Sequence, residues 1–194
     1  AEIFGDSSKE AELESINLLL KSLEIAGIKN ITLSLGHAAF TSSVLESFKK
    51  LGREIFVDIE IALSKKSKSD LDKIIPDSFE NKQSLISLCD MYGEIDIIQS
   101  AKESFSYFET TQNFMDDLEG LATKLINKSG ITLHVDLGEV QGFKYHNGVV
   151  FSAYADSAGY VLAKGGRYDG LRKQSDRDRP AVGFDLDLVS VSNL

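Results

Sequence analysis

The sequence predicts an α+β fold in which an antiparallel sheet is flanked by helices and interrupted by a helical block. A helix–strand–helix pattern opens the chain, helical patterns fill its middle, and strand patterns of period two return in its last third. Because strands and helices are segregated and do not alternate one by one, the order differs from that of a parallel βαβ sheet. A chain of 194 residues that is 42% hydrophobic can bury the core of one domain with a substantial insertion.

Residues 1–53 supply the first helix–strand–helix unit of the predicted core. A capping serine or aspartate within residues 6–8 precedes leucines and isoleucines at helical spacing, and Gly27 is a plausible stop. The stretch NITLSLGH then alternates apolar and polar residues, which predicts a half-buried strand. The stretch AAFTSSVLESFKKLG predicts a second helix, which ends at Gly52.

Residues 54–127 are predicted to form a helical insertion. Four consecutive stretches have helical patterns, with no clear strand between them. The stretch EIFVDIEIAL has the composition of a strand, but Ile55, Ile59 and Leu63 fit helical spacing, and we therefore expect a helix. A helical block of this length between strand-rich segments indicates an insertion into the core.

Residues 128–194 return to strand patterns and complete the predicted core. ITLHVDLGEV alternates regularly, and the stretches GVVFSAYAD and GYVLAKGG flank a short turn, which predicts a β-hairpin. The last stretch, RPAVGFDLDLVSVSNL, predicts another strand followed by a short helix or a frayed end.

Composition narrows the classes of function. The chain carries 21 basic and 30 acidic residues, a net charge of −9, which argues against a surface built mainly for nucleic acid or anionic lipid. It contains no run of about eighteen apolar residues, so no transmembrane helix is expected. Cys89 is the single cysteine, which excludes an internal disulfide and favours a reducing, cytoplasmic compartment. The sequence predicts neither a metal site nor a cofactor.

The stretch YVLAKGGRYDGL is the first candidate for a binding site. Gly165 and Gly166 would let the backbone adopt unusual conformations and let a ligand approach closely. An ion pair between Arg167 and Asp169 could hold a turn, with the phenol of Tyr168 on the opposite side. A turn held in this way without any ligand is an equally good interpretation of the residues alone.

The stretch GFKYHNGVVFSAY is the second candidate. It places Tyr145, His146 and Asn147 just before a strand, where polar and aromatic groups suit a small polar molecule. A basic cluster from Lys164 to Arg179 could receive a phosphate or an acidic protein surface, or form a solvated, self-paired loop. No nucleophile elbow, phosphate-binding loop or metalloprotease motif is present, so the residues predict a pocket without a catalytic centre.

Five motifs together resemble a known family. E-x-F-G, AELESINLL, GFKYHNGVVFSAY, KGGRYDGL and RPAVGFDLDL occur in that order along the whole chain. They look like the catalytic core of class II histidyl-tRNA synthetases. More closely, they resemble the synthetase paralogues that serve as regulatory subunits of ATP phosphoribosyltransferase. The resemblance implies a class II aminoacyl-tRNA synthetase-like sheet flanked by helices, in a dimer, with further class II signatures upstream of Ala1.

The resemblance also implies a histidine-binding pocket. In it, Glu2 would hold the amino group of histidine, and Tyr168 would face the imidazole. The implied binding residues are Glu2, Gln141, Tyr145, His146, Gly165, Gly166 and Tyr168, with Arg167 and Asp169 in the pocket turn.

Two departures from the synthetases suggest that the chain does not aminoacylate. Gln141 falls where synthetases have an arginine that promotes adenylate formation, and Leu186 and Asp187 lie in the region of the arginine that clamps ATP. The resemblance then implies a non-catalytic subunit whose partners are the short-form catalytic chain, a second copy of itself and L-histidine, without nucleic acid or membrane. The alternatives are a histidyl-tRNA synthetase core and an amino-acid sensor or scaffold of the same fold.

Overall fold

The computed structural model describes most of the chain. The described residues are 1–106, 111–128, 130–140, 145–156, 158–169 and 179–194. Their seven strands are β1 (Glu2–Phe4), β2 (Ile31–His37), β3 (Tyr92–Gly93), β4 (Ile131–Asp136), β5 (Val149–Ala155), β6 (Val161–Arg167) and β7 (Ala181–Leu186). Their α-helices are α1 (Lys9–Ile25), α2 (Ala38–Leu45), α3 (Arg53–Ser64), α4 (Lys68–Ile74), α5 (Lys82–Ser87), α6 (Ile97–Ser104), α7 (Thr111–Leu125) and α8 (Leu188–Ser192).

The strands form one mixed sheet in the order β1-β7-β6-β5-β2-β4-β3. Every neighbouring pair is antiparallel except β2 and β4, which run parallel with Ile31 opposite Ile131. A parallel pair needs a long crossover, and the middle helices provide it between these two strands. The predicted antiparallel sheet is therefore confirmed for most pairs, with one parallel pair that local patterns did not reveal.

The first helix has the predicted boundaries. The Ser8 side chain accepts a hydrogen bond from the Ala11 amide and caps α1. Beyond the helix, Gly27 has a φ of +85°, and the Ile28 amide donates to the Leu23 carbonyl 3.0 Å away. A glycine in the left-handed region at this position is a common way to end a helix.

The middle segment is mainly helical, as predicted. The stretch EIFVDIEIAL lies in α3, which buries Ile59, Ala62 and Leu63. The helices of this segment share one hydrophobic core with the sheet, in which Leu118 and Leu33 are both fully buried. The boundaries 54 and 127 of the insertion stay a prediction. The segment also contains β3, which was not predicted because two residues cannot show a period of two.

The predicted hairpin and the strand that follows it are confirmed. β5 and β6 pair in antiparallel register, with an irregularity between Ala153 and Tyr154. After β7, the Asp187 carboxylate accepts hydrogen bonds from the Val189 and Ser190 amides, each at 3.0 Å, and caps α8. Within the described part of the chain, no helix is long and apolar enough to span a bilayer.

The prediction that GGRYD forms a turn is wrong. Gly165, Gly166 and Arg167 are the last three residues of β6. The Arg167 guanidinium lies 3.5 Å from the Asp169 carboxylate, but its Nε donates to Glu12 Oε1 on α1 at 2.5 Å. The predicted pair with Asp169 is therefore secondary to a long-range pair, which the sequence did not reveal because Glu12 is 155 residues away.

Arg167 joins three parts of the structure. Its Nη1 donates to the Asp6 carbonyl at 3.2 Å, and its Nη2 donates to the Ser8 carbonyl at 2.8 Å. Both Arg167 and Glu12 are buried. Burial raises the pKa of the Glu12 carboxyl, and the hydrogen bond from Arg167 opposes that rise. The guanidinium thus holds the β1–α1 connection and the start of α1 against the end of β6.

We expect Arg167→Met to lower the free energy of unfolding by about 3–5 kcal/mol, because it leaves the Glu12 carboxylate buried without its partner. Urea unfolding at neutral pH measures this change. Lys49→Met removes an exposed ion pair with Glu46 and should shift the free energy by no more than about 0.5 kcal/mol. Equal, small effects of the two substitutions would contradict the structural role of Arg167.

Candidate functional site

The two faces of β6 have different surroundings, since one packs against α1 and the other lines a cleft. Successive side chains of a strand point to opposite faces. Arg167 points to the face where α1 packs and meets Glu12. Lys164 and Tyr168 line the other face, and a Cβ on Gly166 would also point there, toward His146. One strand therefore carries both the anchor to α1 and the wall of a cleft.

The cleft is open and has a volume of about 760 Å³. It brings together five of the residues predicted to bind a ligand, which are Glu2, Tyr145, His146, Gly165 and Tyr168. Gly166 lies directly behind the His146 ring. Gln141, the remaining predicted residue, lies outside the described residues.

Three aromatic rings form one wall of the cleft. The ring centroids of Tyr145 and His146 are 4.1 Å apart. The Tyr168 ring is edge-on to both, with its centroid 5.6 Å from that of Tyr145 and 6.0 Å from that of His146. Edge-to-face contacts of this kind are favourable and hold the rings in fixed orientations. The wall therefore offers a planar ligand both ring faces and ring edges.

Glu2 supplies the carboxylate beside this wall. It lies on β1 opposite Gly183 of β7, which in turn lies opposite Gly166 of β6. Burial raises the pKa of the Tyr168 phenol, and hydrogen bonding to Glu2 and the Glu2 charge raise it further. Tyr168 is therefore protonated at neutral pH and can donate a hydrogen bond to the Glu2 carboxylate.

Burial lowers the pKa of His146 to about 4. The imidazole is therefore neutral at pH 7 and adds no positive charge to the aromatic wall. A neutral imidazole in a cleft that also contains carboxylates suits a ligand that carries an ammonium group or a ring N–H.

Bare backbone forms the floor of the cleft. A Cβ on Gly166 would lie 2.5 Å from Cδ2 of His146, and one on Gly183 would lie 2.4 Å from the Ala1 carbonyl oxygen. A Cβ on Gly165 points to the other face and would lie 2.4 Å from the Phe151 ring. Neither Gly165 nor Gly166 has a positive φ. The expected unusual backbone conformation is therefore wrong, and the glycines serve close packing.

Hydrogen bonds between Asn147 and Asp169 hold the residues just before β5 against the residues just after β6. The Asn147 side chain donates to the Asp169 carbonyl and accepts from the Asp169 amide, both at 3.0 Å. The Asp169 carboxylate accepts from the Ala181 amide at 3.1 Å. Asp169 therefore acts as a tie between the segment before β5 and the ends of β6 and β7, rather than as a turn clamp.

Sequence reasoning missed several residues of the cleft. Asp185 and Phe4 line it but were not predicted to bind a ligand, and Lys164, which also lines it, was predicted only as part of a basic cluster and not as a residue of this pocket. A period-two reading of β6 could have found Lys164, which is two residues from Gly166. Asp187, which was expected to weaken nucleotide binding, caps α8 and is not among the residues that line the cleft.

The class of protein to which this sheet and cleft belong follows from a match to a known family. A family model described as histidyl-tRNA synthetase matches residues 1–191, and the chain belongs to this family. A relative from Polynucleobacter necessarius is named ATP phosphoribosyltransferase regulatory subunit. It is 34% identical over an alignment of 197 positions, gaps included, which covers all of this chain and 51% of the relative. The chain spans about half the length of the curated relatives it matches.

Solved structures show the same fold. An ATP phosphoribosyltransferase regulatory subunit/histidyl-tRNA synthetase from Bacillus halodurans has a TM-score of 0.80 and 24% identity, over 99% of this chain and 51% of that chain. A chain of the ATP phosphoribosyl transferase (HisG:HisZ) complex from Thermotoga maritima has a TM-score of 0.69 and 16% identity, over 95% of this chain and 63% of that chain. These likenesses confirm the predicted class II synthetase-like fold.

We expect Gly166→Ala to lower the free energy of unfolding by about 1–3 kcal/mol, because the new methyl group must displace the His146 ring or the backbone of Val149. Chemical denaturation measures the loss. Gly120→Ala is the control, since a Cβ there meets nothing within 4 Å on α7. That substitution should stabilise the protein by up to about 1 kcal/mol. If both variants gained stability, the close packing behind His146 would be refuted.

Proposed function

We propose that this chain is part of a non-catalytic regulatory subunit of ATP phosphoribosyltransferase. The subunit activates the short-form catalytic chain and takes part in histidine feedback on the first step of histidine biosynthesis. The observation that carries the proposal is the cleft itself, in which an amino-acid-sized set of aromatic and carboxylate groups occurs without arginine among the described lining residues. We also propose that the subunit forms a homodimer in the cytoplasm.

L-Histidine is the proposed ligand of the cleft. Its ammonium group would lie beside the Glu2 carboxylate, and its imidazole would pack among Tyr145, His146 and Tyr168. A neutral His146 supports this arrangement, because a charged ring would repel the ammonium group of the ligand.

The lack of arginine in the described lining supports binding without adenylate formation. Transfer of an adenylyl group develops negative charge that an enzyme must stabilise, and electrostatic stabilisation is usually the largest catalytic contribution. Glu2 and Asp185 both line the cleft and would repel a triphosphate. The name of the relative from Polynucleobacter necessarius supports the regulatory assignment.

Regulation requires that histidine bind one state of the complex more tightly than another. Couplings of this kind are typically about 1–3 kcal/mol. The aromatic wall is suited to such a role, because Asn147 and Asp169 join it to the ends of β6 and β7. A ligand that presses on Tyr168 would therefore bias the position of both strand ends.

The second candidate function is that of a histidyl-tRNA synthetase core, which the family match favours. The two functions predict opposite outcomes in two assays. We expect the full-length protein to activate a short-form phosphoribosyltransferase and to show no exchange of labelled pyrophosphate into ATP in the presence of histidine. Exchange without activation would instead support the synthetase.

We also expect Tyr168→Ala to weaken L-histidine binding on the order of tenfold, because it removes one ring of the aromatic wall. Isothermal titration calorimetry measures the dissociation constant. Tyr160→Ala is the matched control, since Tyr160 is exposed, its hydroxyl donates to the Ser190 carbonyl at 3.5 Å, and it is not among the described residues that line the cleft. An unchanged affinity of the Tyr168 variant would exclude this residue from the binding site.

A further inference from the structure

Lys164 is the one lysine or arginine side chain among the described residues that line the cleft. It lies on β6 opposite Asp185 of β7 and Ser152 of β5. Its side chain is partly buried and shares the cleft face with Tyr168. A lysine on a four-carbon stem at this position can turn its ammonium group toward a ligand on the floor.

We infer that Lys164 binds the carboxylate of an α-amino acid held in this cleft and selects the intact amino acid over analogues that lack the carboxylate. This inference rests on the proposed histidine-binding function and deepens it. It assigns the two charges of a zwitterion to two residues, with Glu2 taking the ammonium group and Lys164 taking the carboxylate.

The sheet register places the two charges at a suitable separation. Glu2 and Gly166 are two strands apart, about 10 Å, and Lys164 is two residues further along β6, about 7 Å. Their Cα atoms are therefore about 12 Å apart across the floor. The Glu2 and Lys164 side chains span much of this gap, which leaves room for a ligand whose ammonium and carboxylate groups share one carbon atom.

The charges of the cleft create the need for such a cation. Glu2 and Asp185 would both repel the carboxylate of an amino acid, and the aromatic wall is neutral. Lys164 shares the cleft with these two carboxylates, and its positive charge would offset their repulsion of the ligand carboxylate.

The alternative role of Lys164 is a cross-strand pair with Asp185 that only stabilises the sheet. The two roles predict different changes in the relative affinities for L-histidine and histamine. A structural lysine affects stability and changes the affinity for all ligands by the same factor. A carboxylate-binding lysine changes the affinity for L-histidine but leaves the affinity for histamine, which has no carboxylate, almost unchanged.

Calorimetry with the full-length protein tests the inference, using L-histidine, L-histidinol and histamine as ligands. We expect the unmodified protein to prefer L-histidine. Lys164→Met should weaken L-histidine binding by about 10- to 100-fold, which is the usual effect of losing a hydrogen bond to a charged group. The same variant should alter histamine binding by less than about twofold. Lys164→Arg should retain the preference, because it keeps the positive charge.

The control is Lys21→Met, which removes an exposed lysine paired with Glu24 on α1 and should leave all three affinities unchanged. Urea unfolding of each variant separates loss of the fold from loss of the ligand. If Lys164→Met weakens histidine and histamine equally while the unmodified protein binds histidine, the inference is overturned and the proposed function stands. If the unmodified protein does not bind histidine, the proposed ligand is wrong as well.

Discussion

The buried pair between Arg167 and Glu12 is the interaction on which the geometry of the site depends. The guanidinium also holds the Asp6 and Ser8 carbonyls, so the connection that follows β1, the start of α1 and the end of β6 meet at one side chain. Buried charges are costly unless every partner is in place. Tyr168 follows Arg167 in the chain, so the same contacts anchor the backbone that carries the Tyr168 ring beside the cleft.

The β6 strand serves two faces of the sheet with different chemistry. On one face, Gly165 leaves room for the Phe151 ring, and Arg167 reaches α1. On the other face, Gly166 leaves room for His146, with Tyr168 beyond it. Two consecutive glycines are needed because neighbours approach the strand closely from both sides. The motif therefore serves close packing on both faces of the strand, and residues of the two faces alternate along it.

The chemistry of the cleft is that of recognition. Its rings are neutral, its carboxylates exceed its cations in the described lining, and its floor is bare backbone. Such a surface can hold a small zwitterion, but a polyphosphate would meet repulsion. In the proposed function, binding of such a ligand would shift the state of a complex. The ties from Asn147 and Asp169 connect the cleft to the rest of the sheet.

The sequence by itself determined the elements whose signals are local. The Ser8 cap, the Gly27 stop, the β5–β6 hairpin and the helical period of α3 all depend on residues a few positions apart. Resemblance to the family also identified five of the described residues that line the cleft, which are Glu2, Tyr145, His146, Gly165 and Tyr168. Only the tertiary structure decided the parallel β2–β4 pair, the partner of Arg167 and the place of Lys164 beside Asp185. These features join residues far apart in the chain, and hydrophobic periodicity shows which face of an element is buried but not which distant element packs against it.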